Sequence, residues 1–213
     1  MQPYYERGGI TIYHGDCREI LPTLSGVDLV LTDPPWNVGR DYGPETDDMQ
    51  APDVFSAWIA SWMPRVLRLG TTVLVTPGIR NLAIYLAYQP KWILAWHKPF
   101  GVGRTPVGFN NWDPILLWGK WRKRHYGDYI LEPLALGDKT LGLHDCPKPL
   151  NLMRTLISRN SDDEGLVLDP FMGSGTTLRA AKDLGHRAIG IDIEERYCEI
   201  AANRLAQDVL LTA

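Results

Sequence analysis

The segment Asp33-Pro34-Pro35-Trp36 follows an apolar run, VDLVLT, at residues 27–32. Two successive prolines supply no N–H donors and fix φ, so the chain can neither continue as a central strand nor coil into a helix. The result is a rigid shelf carrying an acid, a carbonyl of set direction and an aromatic ring. That combination suits the exocyclic amine of a nucleobase, which has two N–H donors and a lone pair drained into its ring. One donor goes to the Asp33 carboxylate and the other to the Pro34 carbonyl, leaving a pyramidal nitrogen able to attack a methyl sulfonium in line. Trp36 offers a flat face to a base taken out of its stack. Holding both reactants in register lowers the barrier without a covalent step.

A second constellation runs Asp169-Pro170-Phe171-Met172-Gly173-Ser174-Gly175-Thr176-Thr177, between an apolar run and a helical pattern. Gly173 and Gly175 are expected to let the backbone approach a ligand, with Thr176 or Thr177 capping the helix. The free N–H groups at that helix start suit a carboxylate. Asp192 ends the next predicted strand, where an acidic side chain accepts hydrogen bonds from ribose hydroxyls. No Gly-Lys-Ser/Thr follows, which excludes a P-loop, and Leu178 stands where a dinucleotide fingerprint has its third glycine.

The elements that must hold these residues read as alternating short strands and helices, the pattern of an α/β domain with a mostly parallel sheet. Strands are expected at 9–13, 27–32, 71–76, 91–96, 114–118, 166–168 and 187–191, and helices at 52–69, 149–159, 176–184 and 195–207. In the 52–69 helix Phe55, Trp58, Ile59, Trp62, Val66 and Leu69 recur at spacings of three and four, with Pro64 an expected kink. Residues 37–52 show no periodicity and read as a mobile loop. With 213 residues, 45 % hydrophobic and 22 % charged, one domain with its own core is expected across residues 1–213.

At this point the chain resembles the amino-methyltransferases of DNA, the N6-adenine and N4-cytosine family, in the permuted order called the beta class. Asp33-Pro34-Pro35-Trp36 is similar to that family's catalytic tetrapeptide, with Trp in place of the commoner Tyr, and 169–177 to its cofactor loop. Asp16 in Gly15-Asp16-Cys17 resembles its adenine-contacting acid and Asp192 its ribose-binding acid. His144-Asp145-Cys146-Pro147-Lys148-Pro149 resembles the lead-in to the helix that closes the methionine pocket. The resemblance implies a doubly wound, Rossmann-like fold of the S-adenosylmethionine-dependent methyltransferases, with catalysis ahead of cofactor in chain order. It implies S-adenosyl-L-methionine as cofactor, held by Asp16, Cys17, Asp33, Lys148, Asp169, Phe171, Gly173, Ser174, Gly175, Thr176 and Asp192. Asp33, Pro34, Pro35 and Trp36 would act on DNA. Asp at position 33 favours adenine N6 over cytosine N4, where relatives more often carry Ser. An RNA adenosine methyltransferase and a silent cofactor-binding scaffold stay open as alternatives.

A small target-recognition insert is expected near 119–143, where Lys120, Trp121, Arg122, Lys123 and Arg124 form a dense basic run able to grip phosphates and stack a base. Its small size predicts a very short recognition site or low specificity. A net charge of −3 means any nucleic-acid surface is local. Cys17, Cys146 and Cys198 are widely spaced with no CxxC pair, so no disulfide framework and no metal site is expected. Cys146-Pro147 reverses the order of the Pro-Cys pair used in ring-carbon methylation, and an amine target needs no nucleophile. His14, His97 and His186 are read as structural; Lys98-Pro99 is either a plain strand end or the border of the substrate cleft. No basic leader with an apolar stretch and no spanning run is present, so a cytoplasmic, membrane-free protein is expected. The tryptophan-rich 52–69 helix is a possible homodimer face, and core burial explains the same residues.

Overall fold

A computed structural model describes residues 2–99, 103–106, 108–121, 126–134, 148–162 and 164–206. Strand β1 (Tyr5–Arg7) and β2 (Ile10–His14) form a hairpin, followed by the short helix α1 (Cys17–Ile20) and by β3 (Val27–Thr32). Then come α2 (Pro52–Leu69), β4 (Gly70–Val75), α3 (Leu82–Leu86), β5 (Trp92–His97), the small strands β6 (Gly103–Thr105) and β7 (Gly108–Asn110), β8 (Trp112–Gly119) and β9 (Tyr129–Leu131). The described residues end with α4 (Leu150–Asn160), β10 (Leu166–Asp169), α5 (Thr176–Asp183), β11 (Arg187–Asp192) and α6 (Glu195–Ala206).

Among the described residues the main sheet has the order β1-β2-β11-β10-β3-β4-β8-β5-β9. Strands β2, β11, β10, β3 and β4 pair in parallel, β8 lies antiparallel between β4 and β5, and β9 is parallel to β5. Parallel strands buried on both faces need near-continuous apolar sequence, and β3 with Leu29, Val30 and Leu31 fully buried meets that need. One face packs Leu29, Leu31 and Val167 with Leu152, Leu156 and Leu178 of α4 and α5; the other packs Val30, Val73 and Leu168 with Ile59, Trp62 and Val66 of α2.

From β3 the chain winds through α2 to β4 on one side; from β10 it winds through α5 to β11 on the other. Because β3 and β10 are neighbours, with Val167 opposite Leu29, the reversal of winding falls between them. Ligands of open α/β sheets bind at such a switch point, outside the carboxyl ends of the strands. The fold class is thus α/β, doubly wound and mostly parallel.

Helix α2 spans the expected 52–69, with Pro64 inside it. Its aromatic face is spent inward, Phe55 and Trp62 being 3 % and 0 % exposed, which removes them from any dimer face. The short strands β1, β6, β7 and β9, three residues each, carry too few positions for a period-2 pattern to register. No described helix is long and apolar enough to cross a membrane.

Candidate active site

Strand order sets the order of the acids. Gly15-Asp16 follows β2, Asp192 ends β11, Asp169 ends β10 and Asp33 follows β3, so along one edge they stand Asp16, Asp192, Asp169, Asp33, one strand apart, roughly 5 Å per step. The two motifs meet directly at the centre, where Thr32 Oγ1 donates to Asp169 Oδ1 at 2.7 Å.

Asp33 is held on both carboxylate oxygens. Oδ1 accepts from the Thr76 hydroxyl at 2.5 Å and from the Trp36 indole N–H at 3.1 Å, while Oδ2 is paired with the Lys148 ammonium. Lys148 Nζ also lies 4.5 Å from the centre of the Trp36 ring, a cation–π approach. Trp36 in turn shares its N–H with the Thr76 carbonyl at 2.9 Å, and Asn81 Nδ2 donates to its main-chain oxygen at 2.8 Å. Gly78, at φ +70°, also lies against the indole, where an added Cβ would come within 2.7 Å of the ring. The indole's N–H is tied down and its ring is approached by Gly78 and Lys148.

A cavity of about 530 Å³ opens beside this group, in the range of small-molecule sites. Asp16, Cys17, Asp33, Lys148, Asp169, Phe171, Gly173, Ser174, Thr176 and Asp192 all line it, as does Pro35. Asp169 is buried at 3 % exposure; burial pushes its carboxyl up to about 6 against the hydrogen bonds from Thr177, Thr32 and the Phe171 N–H. Burial likewise lifts Asp192 to about 6, although its two oxygens accept from Gly173 N at 2.8 Å and Glu194 N at 3.0 Å. At Asp16 burial acts upward too, but side-chain and backbone hydrogen bonds from Arg18 outweigh it and hold this carboxyl low. The Cys17 thiol is pushed by burial to about 12, which leaves it protonated and inert.

The glycine turn is built differently from the sequence expectation. Gly175, not a threonine, caps α5, in the left-handed conformation with φ +77° and with no side-chain cap bond. An added Cβ there would sit 2.8 Å from that of Ala201, so this glycine serves helix packing rather than lining the cavity. Thr176 accepts from Arg204, and the Thr177 side chain bonds Asp169.

Residues 37–50, expected as a mobile loop, are organised by two acids. Asp48, 4 % exposed, accepts from the main-chain N–H groups of Asn37, Val38 and Arg40 at 2.5, 3.1 and 2.9 Å. Glu194, beyond β11, accepts from Glu45 N at 2.8 Å and from the Thr46 hydroxyl at 3.1 Å. The loop thereby reaches from the Asp33 end of the sheet edge to the Asp192 end, and its Tyr42, Glu45, Thr46 and Asp47 line the cavity.

Lys120 is not brought to this site. β8 is antiparallel to β4, so Lys120 follows the end of β8 beside Thr71 and Thr72, at the opposite edge of the sheet from Thr76 and Asp33. Trp121 is half-buried against the core, and Arg122, Lys123 and Arg124 lie outside the described residues, as do His144 to Pro147. Of the 119–143 insert, β9 is the only described strand beyond the β8 terminus. Helical spacing led to Phe55 and Trp58 being read as core; they also line the cavity, where Trp58 meets Phe171 at 5.4 Å. Thr76, Glu194 and Asp113, the partner of the buried Lys98 at the end of β5, had no local signal, because their partners lie elsewhere in the sequence.

Residues 107–203 match a family model described as DNA methylase. The chain is 30 % identical over 217 residues to the type II methyltransferase M.HpaI of Haemophilus parainfluenzae, covering 85 % of this chain and 68 % of that protein. Among solved structures, the M1.HpyAVI–SAM complex aligns with a TM-score of 0.69 at 27 % identity, over 93 % of this chain and all of the other. The PvuII DNA methyltransferase, described as cytosine-N4-specific, shares the fold at TM-score 0.80 and 18 % identity, over 99 % of this chain and 91 % of that one.

Proposed function

Because the chain belongs to the N6/N4 DNA methylase family, we propose that it methylates N6 of adenine in DNA, with Asp33, the Pro34 carbonyl and Trp36 receiving an extruded base. It is an S-adenosylmethionine-dependent DNA methyltransferase. The observation that carries direct transfer to a base amine is the contact of Thr32 with Asp169, which sets the Asp33 shelf and the glycine turn side by side over one cavity.

The donor set of that cavity fits the cofactor. Asp16 and Asp192 supply acceptors at one end of the edge, Phe171 and Trp58 supply flat apolar walls, and Lys148 supplies a cation for a carboxylate at the Asp33 end. S-adenosylmethionine, when bound, supplies the methyl group as an electrophile on a sulfonium. The chain's own part is placement: Asp33 Oδ2 and the Pro34 carbonyl accept the two amine N–H bonds, which withdraws the nitrogen lone pair from the ring and leaves it free to react. No residue need form a covalent bond to the base, and the proton that the methylated nitrogen sheds passes from its hydrogen bond with Asp33 to solvent. The carboxylate at position 33 supports adenine, since resembling cytosine-N4 enzymes more often carry Ser there.

The target amine must reach Asp33, so the duplex lies across the strand ends that carry it. The β6–β7 hairpin leaves the sheet between the end of β5 and the start of β8, at that same edge, with Phe109 67 % exposed. We assign this hairpin to the DNA-facing surface. Lys120 would then grip phosphate remote from the extruded base.

Mass spectrometry of nucleosides after reaction with duplex DNA tests the assignment. N6-methyladenine is expected; N4-methylcytosine would overturn the choice of base, and label on protein alone would overturn the reaction. Asp33→Ala is expected to abolish transfer and leave cofactor affinity within about threefold, since its main task is to hold the target amine. A variant retaining most of the rate would remove Asp33 from its role.

A further inference from the structure

We infer that Thr76 is a positioning residue for methyl transfer, acting through Asp33 together with the Trp36 indole N–H; this rests on the reading of Asp33 as the acceptor of the target amine. A carboxylate on a single Cβ can turn about its Cβ–Cγ bond, and an acceptor that turns loses most of its value for orienting a nitrogen lone pair. Asp33 is prevented from turning by a closed ring of contacts. Thr76 Oγ1 donates to Asp33 Oδ1 at 2.5 Å, the Trp36 N–H reaches the same oxygen at 3.1 Å, and the Thr76 carbonyl accepts from that N–H at 2.9 Å.

Thr76 is suited to this by its place in the sheet. It follows β4, is fully buried, and its main-chain N–H donates to the Thr32 carbonyl at 3.1 Å, so the hydroxyl is set by strand pairing rather than by a loop. Its hydroxyl hydrogen has a choice between Asp33 Oδ1 and the Thr32 carbonyl at 3.4 Å; the shorter contact with the charged acceptor takes it. Two donors fill the acceptor positions of Oδ1. The oxygen left for a substrate is Oδ2, the one that now bears the Lys148 ammonium. A phenylalanine at 36 would keep a stacking face but donate nothing to Oδ1, so the indole has a second task beside stacking.

The test uses the intact enzyme with Thr76→Val, Thr76→Ser and Trp36→Phe, read by single-turnover transfer rate, cofactor Kd by calorimetry, half-saturating DNA and thermal midpoint. Thr76→Val is expected to slow transfer about 10- to 100-fold, the scale of a small misplacement of a reacting group, with cofactor Kd and half-saturating DNA within about twofold. Thr76→Ser, which keeps the hydroxyl, should return to within about threefold of wild type, and Trp36→Phe should fall between. A Thr76→Val enzyme at wild-type rate would overturn the inference. So would a serine variant as slow as the valine one, or a rate loss matched by lost cofactor affinity and thermal midpoint, either of which marks a merely structural role. Asp33→Asn is run alongside: if it is inactive while Thr76→Val is normal, only this inference falls; if it is fully active, the reading of Asp33 falls first.

Discussion

The Thr32 hydroxyl donates to Asp169 Oδ1 across 2.7 Å, between residues 137 apart in the chain and both essentially buried. One stands immediately before the Asp33 shelf and the other opens the glycine turn, so this bond ties the two motifs together. It also supplies one of the donors that keep a buried carboxyl ionisable. Thr32→Val is isosteric and removes only that donor. It should cost about 1–2 kcal/mol in denaturant unfolding, the usual range for an acceptor left short of a partner in the interior, while Thr32→Ser stays near wild type. A valine variant as stable and as active as wild type would show the junction to be held by strand pairing alone.

Lys148 stands where the target amine is proposed to bind, on Asp33 Oδ2 and over the Trp36 ring. The ammonium must leave before a base can enter, and a carboxylate of the bound cofactor is the partner that would draw it away. Lys148→Met is therefore expected to weaken cofactor binding about tenfold or more, as for loss of a charge-assisted bond, and to relieve the block on the base site. With a 2-aminopurine at a mapped target position, the variant should extrude the base without cofactor, whereas wild type should need cofactor or its product. Equal fluorescence from both proteins without cofactor would remove Lys148 from this role.

Much of this site was legible because its chemistry is local. Asp33 to Trp36 and Asp169 to Thr177 are contiguous runs bounded by apolar strands, and alternation of periods located β3, α2, β10, α5 and β11 with small shifts at their ends. What stayed hidden depends on non-local pairing. Thr76 matters through a hydroxyl reaching a residue 43 positions away, and Glu194 through a loop 149 positions away, contacts that no spacing rule expresses. The place of Lys120 was hidden for the same reason: a basic run shows its charge in the sequence, but only the antiparallel pairing of β8 with β4 decides which edge of the sheet Lys120 occupies.

The two acids raised to about 6 give opposite pH trends for folding and for ligand binding. A carboxyl whose folded value exceeds its unfolded 3.8 contributes stability that is fully present below 3.8 and is lost as pH rises through about 6. The thermal midpoint of the cofactor-free protein should therefore rise as pH is lowered from about 7.5 to about 5. Cofactor affinity should move the other way, because the ionised Asp192 is the stronger acceptor for hydroxyls. Asp192→Asn cannot ionise and should flatten the affinity trend and lessen the stability trend, leaving the part due to Asp169, which calorimetry across that pH window measures. A variant whose midpoint and affinity keep the wild-type slopes would assign the pH dependence to other groups.

Phe109 reports which surface meets DNA. Its hairpin is rooted in a buried ion pair, Lys98 with Asp113, that joins the ends of β5 and β8; Asn110 Nδ2 donates to Asp113 Oδ1 at 3.0 Å and Lys98 N to the Asn111 carbonyl at 2.6 Å. Such a root places the hairpin against the sheet edge while leaving its aromatic ring outside, 67 % exposed. Stacking of a base on an exposed ring contributes about 1–3 kcal/mol, so Phe109→Ala should weaken duplex binding roughly tenfold, with cofactor Kd unchanged. Lys120→Ala, at the far edge, should alter binding less than about twofold at moderate salt, as expected for at most one phosphate contact. Fluorescence anisotropy with a labelled duplex compares them. The reverse pattern, a large loss at Lys120 and none at Phe109, would place the DNA on the other edge of the sheet and separate it from Asp33.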